Sequence, residues 1–149
     1  MNEQIIKFLA SILIWLMFGG LIILWIKDNE LKGKKAVRAF LALFLVWGLT
    51  ELIKFIFPTI RPFELYNTSA LTLTTPFDGA FPSAHSALAF SIATSVQKHN
   101  RILGIIFFVA ALLVAAGRML ANVHYLLDVA VGAILGVAIT LALTVKIKA

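Results

Sequence analysis

No cysteine occurs in this chain, so disulfides and thiolate metal sites are excluded, and no redox compartment can be read from it. Charge is scarce as well: 13% of the 149 residues are charged, against 61% hydrophobic. With a mean hydropathy of +0.99, a soluble globular domain is excluded and an integral membrane protein is the class that fits. Acidic residues are few, since 13 Lys and Arg stand against 7 Asp and Glu, a formal net charge of +6. That balance could signal nucleic-acid binding. The basic residues, however, lie between apolar runs rather than along one solvent face, so they read as topology signals, and nucleic acid is not an expected partner. Internal repeats and low-complexity tails are absent too, and residues 1–149 read as one integral-membrane domain.

What remains is a set of five apolar runs. The first, residues 5–26, has Lys7 near its start and Gly19-Gly20 inside it, and is long enough to span a bilayer. A signal peptide is the competing reading. The run exceeds a typical signal core, and no small-x-small cleavage site precedes Lys27-Asp28-Asn29-Glu30, so it reads as a retained helix. A basic hinge follows, made of Lys27, Lys32, Lys34, Lys35 and Arg38, with Gly33 as its breaker. The second run, 36–57, carries Glu51 and Lys54 three residues apart, close enough to pair on one helix face, and Pro58 stops it. Residues 59–81 form the one long polar loop, with Pro62, Asn67, Thr68, Ser69, a threonine-rich patch, Pro76 and Asp78-Gly79. A loop of that length is functional or disordered.

The third run, 82–96, begins at Pro82-Ser83, with Pro82 placed for a helix's first turn. A turn, Gln97-Lys98-His99-Asn100-Arg101, leads to the fourth run, 102–116, and the last is 129–145. These three are short for a span, which implies snorkelling or local thinning of the bilayer. The fold class is therefore all-α, a polytopic membrane bundle of about five transmembrane helices. Placing the basic hinge in the cytoplasm also puts Lys98, Arg101, Lys146 and Lys148 inside and leaves Lys7, Lys54, Arg61 and Arg118 on the other side. In the cell (inner) membrane the N-terminus is then outside, the C-terminus cytoplasmic, and the long loop faces outward. Lys54, Arg61, Ser83, His85, Arg118, His124 and Asp128 can all reach that outer face. Ionisable groups are costly in a membrane, so this gathering is a functional-site hypothesis.

Its core is residues 117–128, GRMLANVHYLLD. His124 and Asp128 are four apart, so on a helix they share a face and the carboxylate can orient the imidazole. Arg118 adds a planar fork of donors suited to phosphate or carboxylate oxygens. Alone, these three residues equally fit a satisfied structural network. With the other four, the inventory suits holding a phosphate and attacking it. Lys54, Arg61 and Arg118 would bind the anion and stabilise transition-state charge, Ser83 and the amides at the third helix's start would add donors, His124 would attack, and His85 would protonate the leaving oxygen. Three cations oppose a divalent ion, so neither metal nor other cofactor is expected. His99 sits in a short turn with no motif and reads as structural. Gly132 and Gly136 read as a close packing step within or between chains, which leaves a homo-oligomer open.

Three motifs in order resemble the type 2 phosphatidic acid phosphatase superfamily, the membrane lipid phosphate phosphatases. K-x6-R-P is matched by residues 54–62, KFIFPTIRP; P-S-G-H by Pro82-Ser83-Ala84-His85, with Ala in place of Gly; and S-R-x5-H-x3-D by residues 117–128, with Gly117 where Ser is usual. The resemblance implies that His124 is the nucleophile forming a phosphohistidine, Asp128 its partner and His85 the general acid, with Lys54, Arg61, Ser83 and Arg118 holding the phosphate. Family members often have six spanning helices, so five implies a minimal form. The implied substrate is a lipid phosphate or diphosphate of the bilayer, undecaprenyl diphosphate first, by analogy with bacterial relatives, and phosphatidylglycerophosphate or phosphatidate next. Two other classes stay open: a non-catalytic protein that binds or transports anionic lipid, and a structural bundle with a satisfied polar core.

Overall fold

The computed structural model describes residues 2–27 and 33–144. Asp28, Asn29, Glu30, Lys32, Lys146 and Lys148, which entered the topology argument, lie outside the described residues. The helices, in chain order, are α1 (Glu3–Lys27), α2 (Lys34–Ile56), α3 (Pro62–Leu65), α4 (Ala84–Gln97), α5 (Arg101–Leu120) and α6 (Leu126–Thr144), and no strand occurs among the described residues. Four of them, α1, α2, α5 and α6, are long and apolar enough to cross a membrane.

The fifth expected span, α4, has 14 residues, about 21 Å of helix. Its place in the bundle accounts for its composition. Ten of its residues are buried, and α2, α5 and α6 all pack against it. A central helix surrounded by others needs small side chains rather than lipid-facing bulk, and α4 supplies Ala87, Ala89, Ser91 and Ala93. Around it, Ile14, Met17, Leu21 and Trp25 of α1, Leu43 of α2 and Val114 of α5 complete the apolar core. Trp15, Phe44, Phe55, Ile102 and Ile134 are each more than half exposed on the outside, where lipid chains replace water as the solvent.

The Gly132 and Gly136 step proves to be an intrachain device. A Cβ at Gly132 would run into the Ser83 carbonyl oxygen, and one at Gly136 into the Ala87 carbonyl oxygen, so the two glycines bring α6 directly onto the α4 backbone. Hydroxyls tie the same pair together: Ser86 Oγ donates to the Val129 carbonyl at 2.8 Å, and Ser91 and Thr140 share a hydrogen bond at 2.8 Å. Because the Gly136 contact is with backbone, Gly136→Ala is expected to cost about 1–3 kcal/mol through overpacking. Thermal unfolding in detergent checks this; an unchanged midpoint would mean that α4 and α6 separate freely.

Three boundaries differ from the sequence reading, and each matters for the site. Helix α4 starts at Ala84 with Ser83 as its N-cap, so Pro82 precedes the cap instead of entering the first turn. Helices α5 and α6 reach further towards each other, which puts Arg118 in a last turn and Asp128 in a first turn. The residues between them, 121–125, are not helical. The long loop is ordered. Leu71 N donates to the Ala121 carbonyl at 3.0 Å, Leu73 N to Ser11 Oγ at 3.2 Å, and Ala80 N to the Thr59 carbonyl at 3.0 Å.

Candidate active site

The seven polar residues singled out by the sequence gather at one end of the bundle. Lys54 comes from the last turn of α2, Arg61 is the N-cap of α3, Ser83 and His85 open α4, Arg118 closes α5, His124 lies in the connection, and Asp128 opens α6. Six of the seven are buried, and His85 is half-buried. Such groups stay inside only if they are paired or hydrogen-bonded.

Arg61, 1% exposed, is the hub. Its Nε donates to the Asp78 carbonyl at 2.9 Å, Nη1 to the Val123 carbonyl at 2.8 Å, and Nη2 to Asp78 Oδ1 at 2.8 Å and the Gly79 carbonyl at 3.1 Å. One guanidinium thus clamps the long loop to the segment carrying His124, a task that needs the rigid multi-donor fork of arginine. Lys54 pairs with Glu51 at 3.1 Å, the partnership read from their spacing, and also with Asp78.

Asp78 is the functional residue that sequence reasoning missed. Its only signal was a carboxylate in the loop that joins two motifs. Partial burial disfavours its charge, but the Lys54 hydrogen bond and the charges of Lys54 and Arg61 outweigh this and hold its carboxyl at about 2. Its single negative charge is shared between two of the three cations.

Arg118 is the less engaged cation. Nη1 donates to the Ala10 carbonyl at 3.1 Å, while Nε is buried without a hydrogen-bond partner. Ala10 belongs to a π-helical turn, Phe8–Ile12, in α1, a distortion that recurs at functional sites. Gly117 explains its own departure from Ser. A Cβ there would lie 2.7 Å from Leu9 Cβ and 2.8 Å from the Ala10 nitrogen, so glycine admits the α1 backbone that receives Arg118.

His124, 3% exposed, stands between the two arginines. Its Nε2 is 3.4 Å from Arg61 Nη1 and 3.5 Å from Arg118 Nη2. Guanidinium nitrogens only donate, so Nε2 faces them with its lone pair and Nδ1 carries the proton. Nδ1 points to Asp128 Oδ2 at 3.5 Å, a long contact, and has no closer hydrogen-bond partner. The same Oδ2 accepts the Tyr125 N–H at 2.8 Å, one half of a capping box, so Asp128 caps α6 and addresses the imidazole together. The pair meets through this cap rather than along a continuous helix. Burial pushes His124 down; Asp128 opposes this, Arg118 and Arg61 add to it, and the imidazole settles at about 4, neutral at pH 7.

Ser83 joins the elements from below: its N–H donates to the Asp128 carbonyl at 3.0 Å, and its Oγ accepts the Ser86 N–H at 3.4 Å. His85 sits in the first turn of α4, within electrostatic reach of Arg118, His124, Lys54 and Arg61. Among the described residues, no three His, Asp or Glu side chains are grouped as metal ligands.

A family model described as the PAP2 superfamily matches residues 35–149. The chain is 28% identical over 137 residues to the bacitracin transport permease protein BcrC of Bacillus licheniformis, an alignment covering 92% of this chain and 68% of that protein. It is 29% identical over 127 residues to an undecaprenyl-diphosphatase of Sulfolobus acidocaldarius, covering 83% of this chain and 58% of the relative. Among solved structures, LpxE of Aquifex aeolicus superposes with a TM-score of 0.75 at 31% identity, over 95% of this chain and 82% of that one. A PAP2-type phosphatidylglycerolphosphate phosphatase from Bacillus subtilis shares the fold, with a TM-score of 0.51 at 21% identity over 95% of this chain and 81% of that one. The family match covers well over half of the sequence and includes every residue of the polar cluster, and the chain belongs to the PAP2 superfamily of phosphatases.

Proposed function

We propose that this protein removes phosphate from a lipid phosphate or diphosphate by metal-independent transfer to His124. The observation that carries the reading is the His124 Nε2 lone pair held between Arg61 and Arg118, with Asp128 behind Nδ1. A phosphoryl group placed there meets a neutral nucleophile and two positive charges at once. His85, which takes up a proton as the negatively charged phosphate binds, is the acid: Nε2 attacks phosphorus in line as the bond to the lipid oxygen breaks, and His85 gives that oxygen its proton. Water then loses a proton to His85 and attacks phosphorus, the N–P bond breaks, and phosphate leaves. Asp128 stabilises the charge that develops on the imidazole. Arg118, whose guanidinium meets a single protein carbonyl, offers the readiest donors to phosphate, joined by Lys54 and the Ser83 hydroxyl. Arg61, whose donors already meet protein acceptors, supplies charge and holds the frame.

A lipid substrate is supported by a second feature. Helices α5 and α6 touch little along their length. Between them runs an apolar groove of about 630 Å³ whose walls include Phe90, Leu112, Met119, Leu126, Val129 and Ala133. Met119 and Val129 follow Arg118 and Asp128 directly in the chain, so one end of the groove lies at the level of the phosphate site. Undecaprenyl diphosphate is the preferred substrate, on the strength of the 29% identical undecaprenyl-diphosphatase; phosphatidylglycerophosphate and phosphatidate follow. The site would face outward. The described acidic residues, Glu3, Glu51, Glu64, Asp78 and Asp128, all lie towards the active-site end, while Lys27, Lys35, Arg38, Lys98 and Arg101 mark the other end, the one the positive-inside rule assigns to the cytoplasm.

Phosphate release by the purified protein from these three lipids, with EDTA present, tests the reading. Turnover is expected with at least one of them. A folded protein that binds lipid and releases nothing would support the non-catalytic binder instead. The position of Asp78 adds a prediction. Its carboxylate competes with phosphate for Lys54 and Arg61, so Asp78→Asn is expected to tighten inhibition by inorganic phosphate about tenfold, an electrostatic effect of about 1.4 kcal/mol. Unchanged or weaker inhibition would show that the carboxylate positions the cations without competing.

A further inference from the structure

None of the seven polar residues of the site lies on α1, yet α1 reaches the site at one turn. That turn is the π-helical stretch Phe8–Ile12, where the Leu13 N–H bonds to the Phe8 carbonyl, five residues back. Two hydrogen bonds join it to the rest of the site. The Ala10 carbonyl accepts from Arg118 Nη1 at 3.1 Å, and Ser11 Oγ accepts the Leu73 N–H of the long loop at 3.2 Å. Ala10 is fully buried and clusters with Ile6, Ala121 and Val123, the last of which directly precedes His124.

Arginine makes the Ala10 contact directional. Its guanidinium is planar, so a bond that fixes Nη1 also fixes where Nη2 points. Here Nη1 rests on the Ala10 carbonyl, while Nη2 lies 3.5 Å from His124 Nε2. Gly117 is what lets that carbonyl approach. The atoms a Cβ at 117 would strike are Leu9 Cβ at 2.7 Å, and the Ala10 nitrogen and Leu9 carbonyl carbon at 2.8 Å. Two of the three are backbone, which cannot swing aside as a side-chain tip can. A methyl there would push the α1 turn, and its carbonyl, away from Arg118.

We infer that the π-turn of α1 is a positioning element of the phosphate site. Ala10, through its carbonyl, and Gly117, by admitting that carbonyl, hold Arg118 aimed at the phosphoryl group beside His124. This role rests on the reading of the polar cluster as a phosphatase site. It ties the chemistry to a helix that supplies no reacting group. It also makes a serine at 117, usual at that place in the motif, harmful in this chain rather than restorative.

Gly117→Ala and Gly117→Ser are compared with the wild-type protein in phosphate release from a lipid phosphate and in inhibition by inorganic phosphate, well below each protein's melting temperature. Both variants should lose about a hundredfold in kcat/KM, the scale of a misplacement by about 1 Å. Inhibition by phosphate should weaken about tenfold, the worth of one charged hydrogen bond. With Arg118→Gln already present, each loss should shrink to less than about twofold, because the group being aimed is gone. A purely structural Gly117 would give the same factor with or without Arg118. Folded Gly117 variants that match the wild type, a serine variant that exceeds it, or losses that persist in full beside Arg118→Gln overturn this role. A wild-type protein without turnover overturns the phosphatase reading beneath it. Should bulk at 117 prevent folding, Ala10→Gly reads the same outcome from the other side. It adds nothing to the contact, removes the methyl that packs with Ala121 and Val123, and should show the same Arg118-dependent loss.

Discussion

Replacing His124 with glutamine is expected to reduce turnover by at least about a thousandfold, the scale seen when a covalent nucleophile is removed. Glutamine fills similar space and presents an amide to the arginines, so the site keeps its shape while losing the side chain proposed to form a bond to phosphorus. Stability should change little. His124 makes long contacts, 3.4 and 3.5 Å, to its neighbours, and none of them anchors a helix. Lipid binding, measured separately, should persist. A variant that turns over near the wild-type rate would move the nucleophile elsewhere, and one that merely melts early would favour a structural polar core.

Arg61→Lys is expected to have the second largest effect, and a different one. Lysine preserves the charge but replaces a rigid fork with a point charge on a flexible stem. The carbonyls of Asp78, Gly79 and Val123 would lose their shared donor, and Asp78 would keep only Lys54. Breaking a buried network of this kind costs about 3–5 kcal/mol. The melting temperature and the activity should fall together, because the clamp that joins the loop to the His124 segment is also part of the phosphate site. Arg118→Lys makes the contrast. Arg118 holds a single carbonyl, that of Ala10, so activity should suffer far more than stability. Equal stabilities for the two lysine variants would show that Arg61 is not the hub.

Much of this arrangement was legible in the sequence, and the reason is physical. Charged residues are so costly in an apolar chain that each one present stands out, and the fixed spacings of residues 54–62, 82–85 and 117–128 tie them to helix ends. Five apolar runs likewise located all five longer helices. What was not legible depends on contacts between distant segments. The role of Asp78 follows from a partner 24 residues earlier in the chain, met only when the loop folds back over α2. The glycine at position 117 looked like a lost hydroxyl until the α1 backbone was found against it. The short α4 looked like a weak span because hydropathy measures lipid contact, and α4 is wrapped by protein. Helix ends at 120 and 126 were misjudged for a related reason: the turn between them is set by the Arg61 bond to Val123 and the Asp128 cap.

The most direct measurement is to quench the enzyme during turnover of a lipid substrate labelled on its terminal phosphate, and to look for label on the protein. Phosphate bound to histidine is labile in acid and stable in base. The expected result is base-stable label on His124, formed at least as fast as phosphate is released and absent from His124→Gln. Full turnover with no label on His124 would contradict the proposed mechanism at its centre.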